Sequence, residues 1–130
     1  MHQEGYIYIG HGSGSMYCSN ESLLNNQCIT AISFLMGCSS VRMGVMHQYT
    51  HIDSVLYYCL NKAPAVVGCL WDVSDGDLDR ITKSLLQQLK DASSERSLVE
   101  LVRKAKEASL LRSIVGDSVV VYGLPIQLRI

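Results

Sequence analysis

Residues 64–80, with the sequence PAVVGCLWDVSDGDLDR, combine a buried strand with the start of a helix. The apolar run over residues 65–71 has the composition of a strand that is covered on both faces. Ser74, with Asp77 three residues later, resembles a capping box at a helix start. Apolar residues then recur at helical spacing, at Leu78, Ile81, Leu85, Leu86 and Leu89. A strand that leads directly into a helix is typical of α/β proteins.

Other segments extend this alternation along the chain. Strands are predicted at residues 6–9 (YIYI), which stop at GHGSG, at residues 31–36 (AISFLM), which stop at GCSS, and at residues 119–122 (VVVY). Helices are predicted from Asp53 to Leu60 and from Ser94 onward, and residues 41–52 are expected to form a loop. The fold class predicted is therefore α/β, with a mostly parallel sheet covered on both faces.

The composition excludes several classes of function. The 130 residues carry a formal net charge of −1, so a basic surface that binds nucleic acid is not expected. The sequence contains no apolar run long enough to span a bilayer. Five cysteines at wide spacings, without a secretion signal, indicate reduced thiols in the cytosol or nucleus; they are Cys18, Cys28, Cys38, Cys59 and Cys69. Because no C-x-x-C pair is present, a structural zinc site is not expected.

Three predicted loops leave the carboxyl ends of strands, where ligands bind in open sheets of this kind. They carry His11, Cys38 and the acidic pair Asp72 and Asp75. A cysteine is a nucleophile as its thiolate, which a nearby base generates, and it needs donors for the oxyanion that forms. We therefore consider His11 and Cys38 as a catalytic pair, with the amides of Gly12 and Cys38 as the oxyanion hole. A carboxylate on the third loop can hold an arginine side chain.

Simpler explanations of the same residues remain open at this point. A cysteine that ends an apolar run is more often a small buried hydrophobe, and a histidine between glycines is more often a turn residue. The acidic residues after Trp71 also suit a helix start. A phosphate-binding loop does not fit, since Ser15 stands where the third glycine is required. His47 and His51 have a metal-compatible spacing, but they lie in a predicted loop without further ligands.

Four blocks of the sequence closely resemble the protease domain of the separase family. They are YIGHGSG at residues 8–14, LMGCSS at 35–40, PAVVGCLWDVSDGDLDR at 64–80 and VYGLP at 121–125. The resemblance implies a caspase-like three-layer fold, with the catalytic histidine at His11 and the nucleophile at Cys38. It implies cleavage after arginine, with Asp72 as the first choice for the arginine pocket and Asp75 as the second.

The resemblance also implies partners and a setting. Separases open the kleisin subunit of cohesin at anaphase and are inhibited by securin. We therefore expect the kleisin subunit as a protein substrate, a securin-like inhibitor and upstream separase regions as partners, and a place in the nucleus and cytoplasm. Neither a cofactor nor direct binding to nucleic acid or membrane is expected.

The chain departs from the family pattern at several positions. Val41 stands where the family usually has glycine, residues 61–64 differ from the usual loop, Cys69 replaces asparagine, and Gly76 replaces a basic residue. A caspase-like sheet has two strands before the one that precedes the histidine, and here that strand starts near Met1. We therefore expect residues 1–130 to be the C-terminal part of a separase-type domain that lacks the first two strands. Such a chain is expected to be neither stable nor active alone.

Two other functions remain as alternatives. The chain could be a non-catalytic caspase-like module that only binds a partner, or a caspase-like protease of another subfamily with different substrates. The presence of both His11 and Cys38 favours a protease over the binding module.

Overall fold

The computed structural model describes residues 5–25, 31–44, 54–91 and 95–129. Their elements are, in chain order, β1 (Gly5–Ile9), α1 (Asn20–Leu24), β2 (Ile32–Met36), α2 (Ser54–Leu60), β3 (Ala65–Cys69), α3 (Asp75–Lys90), β4 (Arg96–Ser97), α4 (Leu98–Lys106), a 3₁₀ turn (Gly116–Ser118), β5 (Val119–Gly123) and β6 (Gln127–Leu128). None of the described helices is long and apolar enough to cross a bilayer.

Four strands form the main sheet in the order β1-β2-β3-β5. Strands β1, β2 and β3 are parallel, and Phe34 in the centre of β2 lies opposite Ile7 on one side and Val67 on the other. Strand β5 runs antiparallel to β3, with Val121 opposite Val67. The predicted α/β fold with a mostly parallel sheet is therefore confirmed.

The sheet separates two hydrophobic clusters, because successive residues of a strand point to opposite faces. Phe34 and Val67 face α3 and α4, whereas Leu35 and Val66 face α1 and α2. Every residue of β2 and β3 is buried, as the continuous apolar runs predicted. Each large apolar side chain buried in this way contributes about 1.5–3 kcal/mol to folding. The core thus fixes the two central strands whose carboxyl ends carry the candidate site.

The helix boundaries follow the sequence signals in most places. Helix α3 starts after Ser74, whose Oγ accepts a hydrogen bond from the amide of Asp77 at 3.3 Å. Helix α4 starts after Ser97, while Ser94 lies outside the described residues, as do Asp53, His47, His51 and Cys28. The short elements α1, β4 and β6 were not predicted. Helix α1 is too short for a visible apolar period, although Ser19 caps it through a hydrogen bond from the Ser22 amide at 3.1 Å.

Strand β1, which leads to His11, lies at one edge of the described sheet. Its residues alternate between half-buried and exposed, and Ile7 and Ile9 are 40% and 56% exposed. An apolar edge of this kind is a place where another strand can pair.

Candidate active site

The loops that follow β1 and β2 meet at Gly37. A Cβ atom at this residue would overlap the carbonyl oxygen of Gly12 and would lie 2.7 Å from that of Gly10. The amide of Gly10 also donates a hydrogen bond to the carbonyl of Met36 at 3.3 Å. Only a glycine allows this approach of two backbones, so the sequence G-C at residues 37 and 38 is what brings the loop with His11 against the loop with Cys38.

His11 lies on an exposed loop that is wrapped around the ring of Tyr8. The Tyr8 hydroxyl donates a hydrogen bond to the carbonyl oxygen of His11 at 2.8 Å. A Cβ atom on Gly14 would lie 3.0 Å from that ring, and Gly14 has a φ of +74°. Gly12, with a φ of +64°, is the second residue of the loop that needs the left-handed region. Tyr8 supports the loop from below, a role that its place in a strand-forming run did not reveal.

Cys38 is half-buried, and the third strand-end loop holds it in place. Its thiol donates a hydrogen bond to the carbonyl oxygen of Val73 at 3.0 Å. The next residue, Ser39, has a φ of +52°, which costs about 1–2 kcal/mol for a residue other than glycine. Two hydrogen bonds offset that cost: the Ser39 amide donates to the carbonyl of Trp71 at 3.2 Å, and the Ser39 hydroxyl donates to Oδ1 of Asp72 at 2.5 Å. Strain beside a candidate nucleophile, fixed by its surroundings, is typical of functional sites.

Ser40 connects β2 and β3 beneath the site. Its buried hydroxyl donates to the carbonyl of Leu35 at 2.6 Å and accepts from the amide of Cys69 at 3.0 Å. Gly68 makes room for it, since a Cβ atom there would lie 2.6 Å from the Ser40 hydroxyl oxygen. Burial raises the pKa of the neighbouring Cys69 thiol to about 11, so that Cys69 stays protonated at neutral pH.

The two predicted oxyanion donors lie where the first two loops meet. The amide nitrogen of Gly12 would be 3.1 Å from a Cβ atom on Gly37, the residue next to Cys38. In residues 5–25, 31–44, 54–91 and 95–129, the amides of Gly12 and Cys38 donate no hydrogen bond to an acceptor. With respect to the described residues, both amides are therefore available to an oxyanion, as the predicted role requires.

The acidic loop divides its carboxylates between two regions. Asp72 is exposed and uses one oxygen for Ser39, while Asp75 is exposed at the first residue of α3. The structure thus places Asp72 on the loop that contacts Cys38, with its carboxylate hydrogen-bonded to Ser39, the residue after Cys38. Asp75 lies where that loop ends and α3 begins.

Asp77 is the buried member of the acidic loop. Its carboxylate accepts hydrogen bonds from the amide of Leu110 at 2.9 Å, from Arg80 at 3.0 Å and from the hydroxyl of Ser74 at 3.1 Å. The Leu110 amide, with Ser74 and Arg80, lowers the pKa of this carboxyl below its usual value. The sequence indicated a helix cap, and the structure adds that Asp77 ties the helix start to the segment before β5. This contact spans 33 residues and has no local sequence signal.

No group of three potential metal-ligating side chains occurs in the part of the chain that the structure describes.

Comparison with known proteins identifies the family. The sequence model of one protein family, described as separin, protease domain, matches residues 1–78 of this chain. Mouse separin is 36% identical over 124 residues, which are 95% of this chain and 6% of the mouse protein. Separin of Saccharomyces cerevisiae is 33% identical over 129 residues, which are 94% of this chain and 8% of the yeast protein.

Solved structures agree with the sequence comparison. The crystal structure of the S. cerevisiae separase-securin complex at 2.6 Å matches with a TM-score of 0.83 and 33% identity, over 95% of this chain and 8% of the yeast chain. A second structure of that complex, at 3.0 Å, matches with a TM-score of 0.79. The chain spans less than a tenth of the length of the relatives it matches. On sequence and fold together, this chain belongs to the separin protease-domain family.

Proposed function

We propose that residues 1–130 are the C-terminal catalytic part of a separase-type cysteine endopeptidase, with Cys38 as nucleophile and His11 as general base. The observation that supports this most strongly is the contact at Gly37, where the loop of His11 packs against the loop of Cys38. The two loops carry a histidine and a cysteine and pack against each other at the carboxyl edge of a parallel sheet, where nucleophilic catalysis would need them.

In the proposed reaction, a polypeptide substrate adds as an extended strand across the loops. The Cys38 thiol leaves the carbonyl of Val73 and transfers its proton to the His11 imidazole. The thiolate sulfur then bonds to the scissile carbonyl carbon, and the oxyanion receives hydrogen bonds from the amides of Gly12 and Cys38. The imidazolium returns the proton to the leaving amine as the peptide bond breaks. Water, deprotonated by His11, hydrolyses the thioester and restores the thiol.

Selection for arginine is assigned to Asp72, with Asp75 as the second choice. One oxygen of Asp72 is occupied by the Ser39 hydroxyl, which leaves the other open to a guanidinium group. Asp75 lies three residues further along the chain, at the first residue of α3, and is exposed. Asp72 lies close to Cys38 in space, because it is hydrogen-bonded to Ser39, the residue after Cys38. A substrate arginine bound by Asp72 would therefore bring its scissile bond near Cys38.

The biological role proposed follows from the family. The substrate is the kleisin subunit of cohesin, cleaved after arginine at anaphase in the nucleus and cytoplasm, and the inhibitor is a securin-like protein. The solved relatives are complexes of separase with securin, which supports the choice of inhibitor.

Intact mass spectrometry of the full natural protein tests the catalytic assignment. The protein is incubated with an arginine-terminated peptidyl acyloxymethyl ketone, beside a Cys38→Ala variant and a glutamate-terminated probe. One adduct on Cys38, formed with the arginine probe alone, is the expected result. A folded protein that gives no adduct, or one labelled equally in the Cys38→Ala variant, would exclude Cys38 as the nucleophile and leave a non-catalytic binding module as the better account.

A further inference from the structure

The segment that precedes β5 exposes apolar side chains beside the site. Leu110, Leu111 and Ile114 are 72%, 53% and 64% exposed, and the neighbouring Trp71 is 40% exposed. The Trp71 indole donates a hydrogen bond from Nε1 to the carbonyl of Ile114 at 2.7 Å. We call these four side chains the apolar platform.

Hydrogen bonds fix the backbone of the segment that carries the platform. The amide of Val115 donates to the carbonyl of Leu111 at 2.8 Å, and the amide of Leu70 donates to the carbonyl of Ser118 at 2.8 Å. Val115 and Ser118 are buried beneath the segment. At its other end, the Leu110 amide donates to the buried carboxylate of Asp77 at 2.9 Å. A fixed apolar patch of this kind is typical of an interaction site.

The platform is continuous with the proposed catalytic loop. The carbonyl of Trp71 accepts a hydrogen bond from the amide of Ser39 at 3.2 Å, and Ser39 follows Cys38 directly. The platform side therefore adjoins the loop that would hold the substrate arginine. An extended peptide advances about 3.3 Å per residue, so substrate residues a few positions from the scissile bond can reach the platform.

We infer that the apolar platform is a specificity-determining wall of the substrate cleft, which binds an apolar side chain of the polypeptide substrate near the scissile bond. This inference rests on the proposed function, since it takes the loop of Cys38 as the place where the peptide is cleaved. The chemistry of the occupant follows from that of the wall. Leu110, Leu111 and Ile114 have no polar side-chain atoms, and the indole N–H of Trp71 is already donated to Ile114. A polar substrate residue would lose its water there without gaining a partner.

Binding of fluorescent peptides to the full natural protein with Cys38→Ala tests the inference without requiring cleavage. Twelve-residue peptides contain a central arginine and either leucine or serine at each flanking position in turn, and fluorescence anisotropy gives Kd. At one position or more, leucine should bind about tenfold more tightly than serine, the effect of burying part of one apolar side chain.

Two variants and a matched control locate that preference. In a Leu110→Ser/Ile114→Ser double variant, and separately in Leu111→Ser, leucine and serine peptides should bind with nearly equal Kd. The control is Leu124→Ser, which removes an equally exposed leucine (65%) at the opposite end of the sheet, where the Leu124 amide donates to the carbonyl of Pro64. It should leave the preference unchanged. Because all of these side chains are exposed, melting temperatures should stay close to that of the parent.

The result that overturns the inference is a leucine preference that is absent in the parent, or one that survives both platform variants. A platform occupied by a second copy of the protein would give the first of these results, together with a dimer in sedimentation that the double variant dissociates. Failure of the proposed function gives a different pattern. In that case Cys38 forms no adduct with the arginine probe, whereas the platform-dependent preference for leucine is still measured by anisotropy.

Discussion

Replacement of Gly37 by alanine should separate the loop of His11 from the loop of Cys38 while leaving the core intact. The new Cβ atom would overlap the carbonyl oxygen of Gly12 and lie 2.7 Å from that of Gly10. Both are backbone atoms, so no side-chain rotation relieves the contact. An ordinary van der Waals contact starts at 3.4 Å, so the Gly10 carbonyl must retreat by about 0.7 Å, and the Gly12 carbonyl by more. A displacement of about 1 Å at a catalytic group costs roughly a hundredfold in rate.

The measurement is kcat/KM on a fluorogenic peptide that ends in arginine, together with the thermal unfolding of the full natural protein. We expect Gly37→Ala to lower kcat/KM about a hundredfold and to destabilise the domain by about 1–3 kcal/mol, as overpacking usually does. Gly5→Ala is the matched control, because no atom of the described residues lies within 4 Å of its Cβ position, and it should retain the parental rate. A Gly37→Ala protein that cleaves at the parental rate would show that the contact between the loops does not position the proposed pair of His11 and Cys38.

Three other predictions follow from the site. Asp72→Asn keeps an acceptor for the Ser39 hydroxyl but removes the charge that would bind arginine. Transition-state binding should weaken by about 1.5–3 kcal/mol, which lowers kcat/KM for arginine substrates about 10- to 150-fold. Asp75→Asn should have the smaller effect, and the reverse order of the two variants would assign the pocket to Asp75. The backbone amide of Leu110 is the chief cause of the lowered pKa of Asp77. The ionised carboxylate therefore stabilises the fold above the usual pKa of 3.8, and that stability is lost as the pH falls through the lower folded pKa. In Asp77→Asn, the free energy of unfolding from denaturant melts should depend less on pH in this acidic range, and an unchanged dependence would exclude the carboxylate as its source. Cys69 has a pKa of about 11 and no exposed surface, so it should resist iodoacetamide at pH 8 under conditions that alkylate Cys38. Peptide mapping that finds Cys69 modified in the folded protein would contradict its burial.

Much of the fold was predictable because its signals are local. The apolar runs that became β2 and β3 are buried on both faces, a property that composition alone expresses. The start of α3 was also predictable, since Ser74, Ile81 and the periodic leucines lie within a few turns of one another. The antiparallel direction of β5 had no such signal. It depends on how α3 and α4 return the chain to the edge of β3, and a strand has the same residue pattern in either direction.

The sequence by itself determined the residue types of the site and their order: a histidine between glycines, a cysteine after a glycine, and an acidic loop after a buried strand, the blocks that also indicated the family. Only the tertiary structure decided which of their neighbours support them. Gly37 is required because the carbonyl of Gly12, 25 positions earlier in the chain, lies against it. Asp72 holds the strained Ser39, which lies 33 positions before it. The same is true of Asp77 and the segment that carries the apolar platform. Such contacts have no period and no spacing along the chain, because they arise only when the carboxyl ends of separate strands are brought to one edge of the sheet.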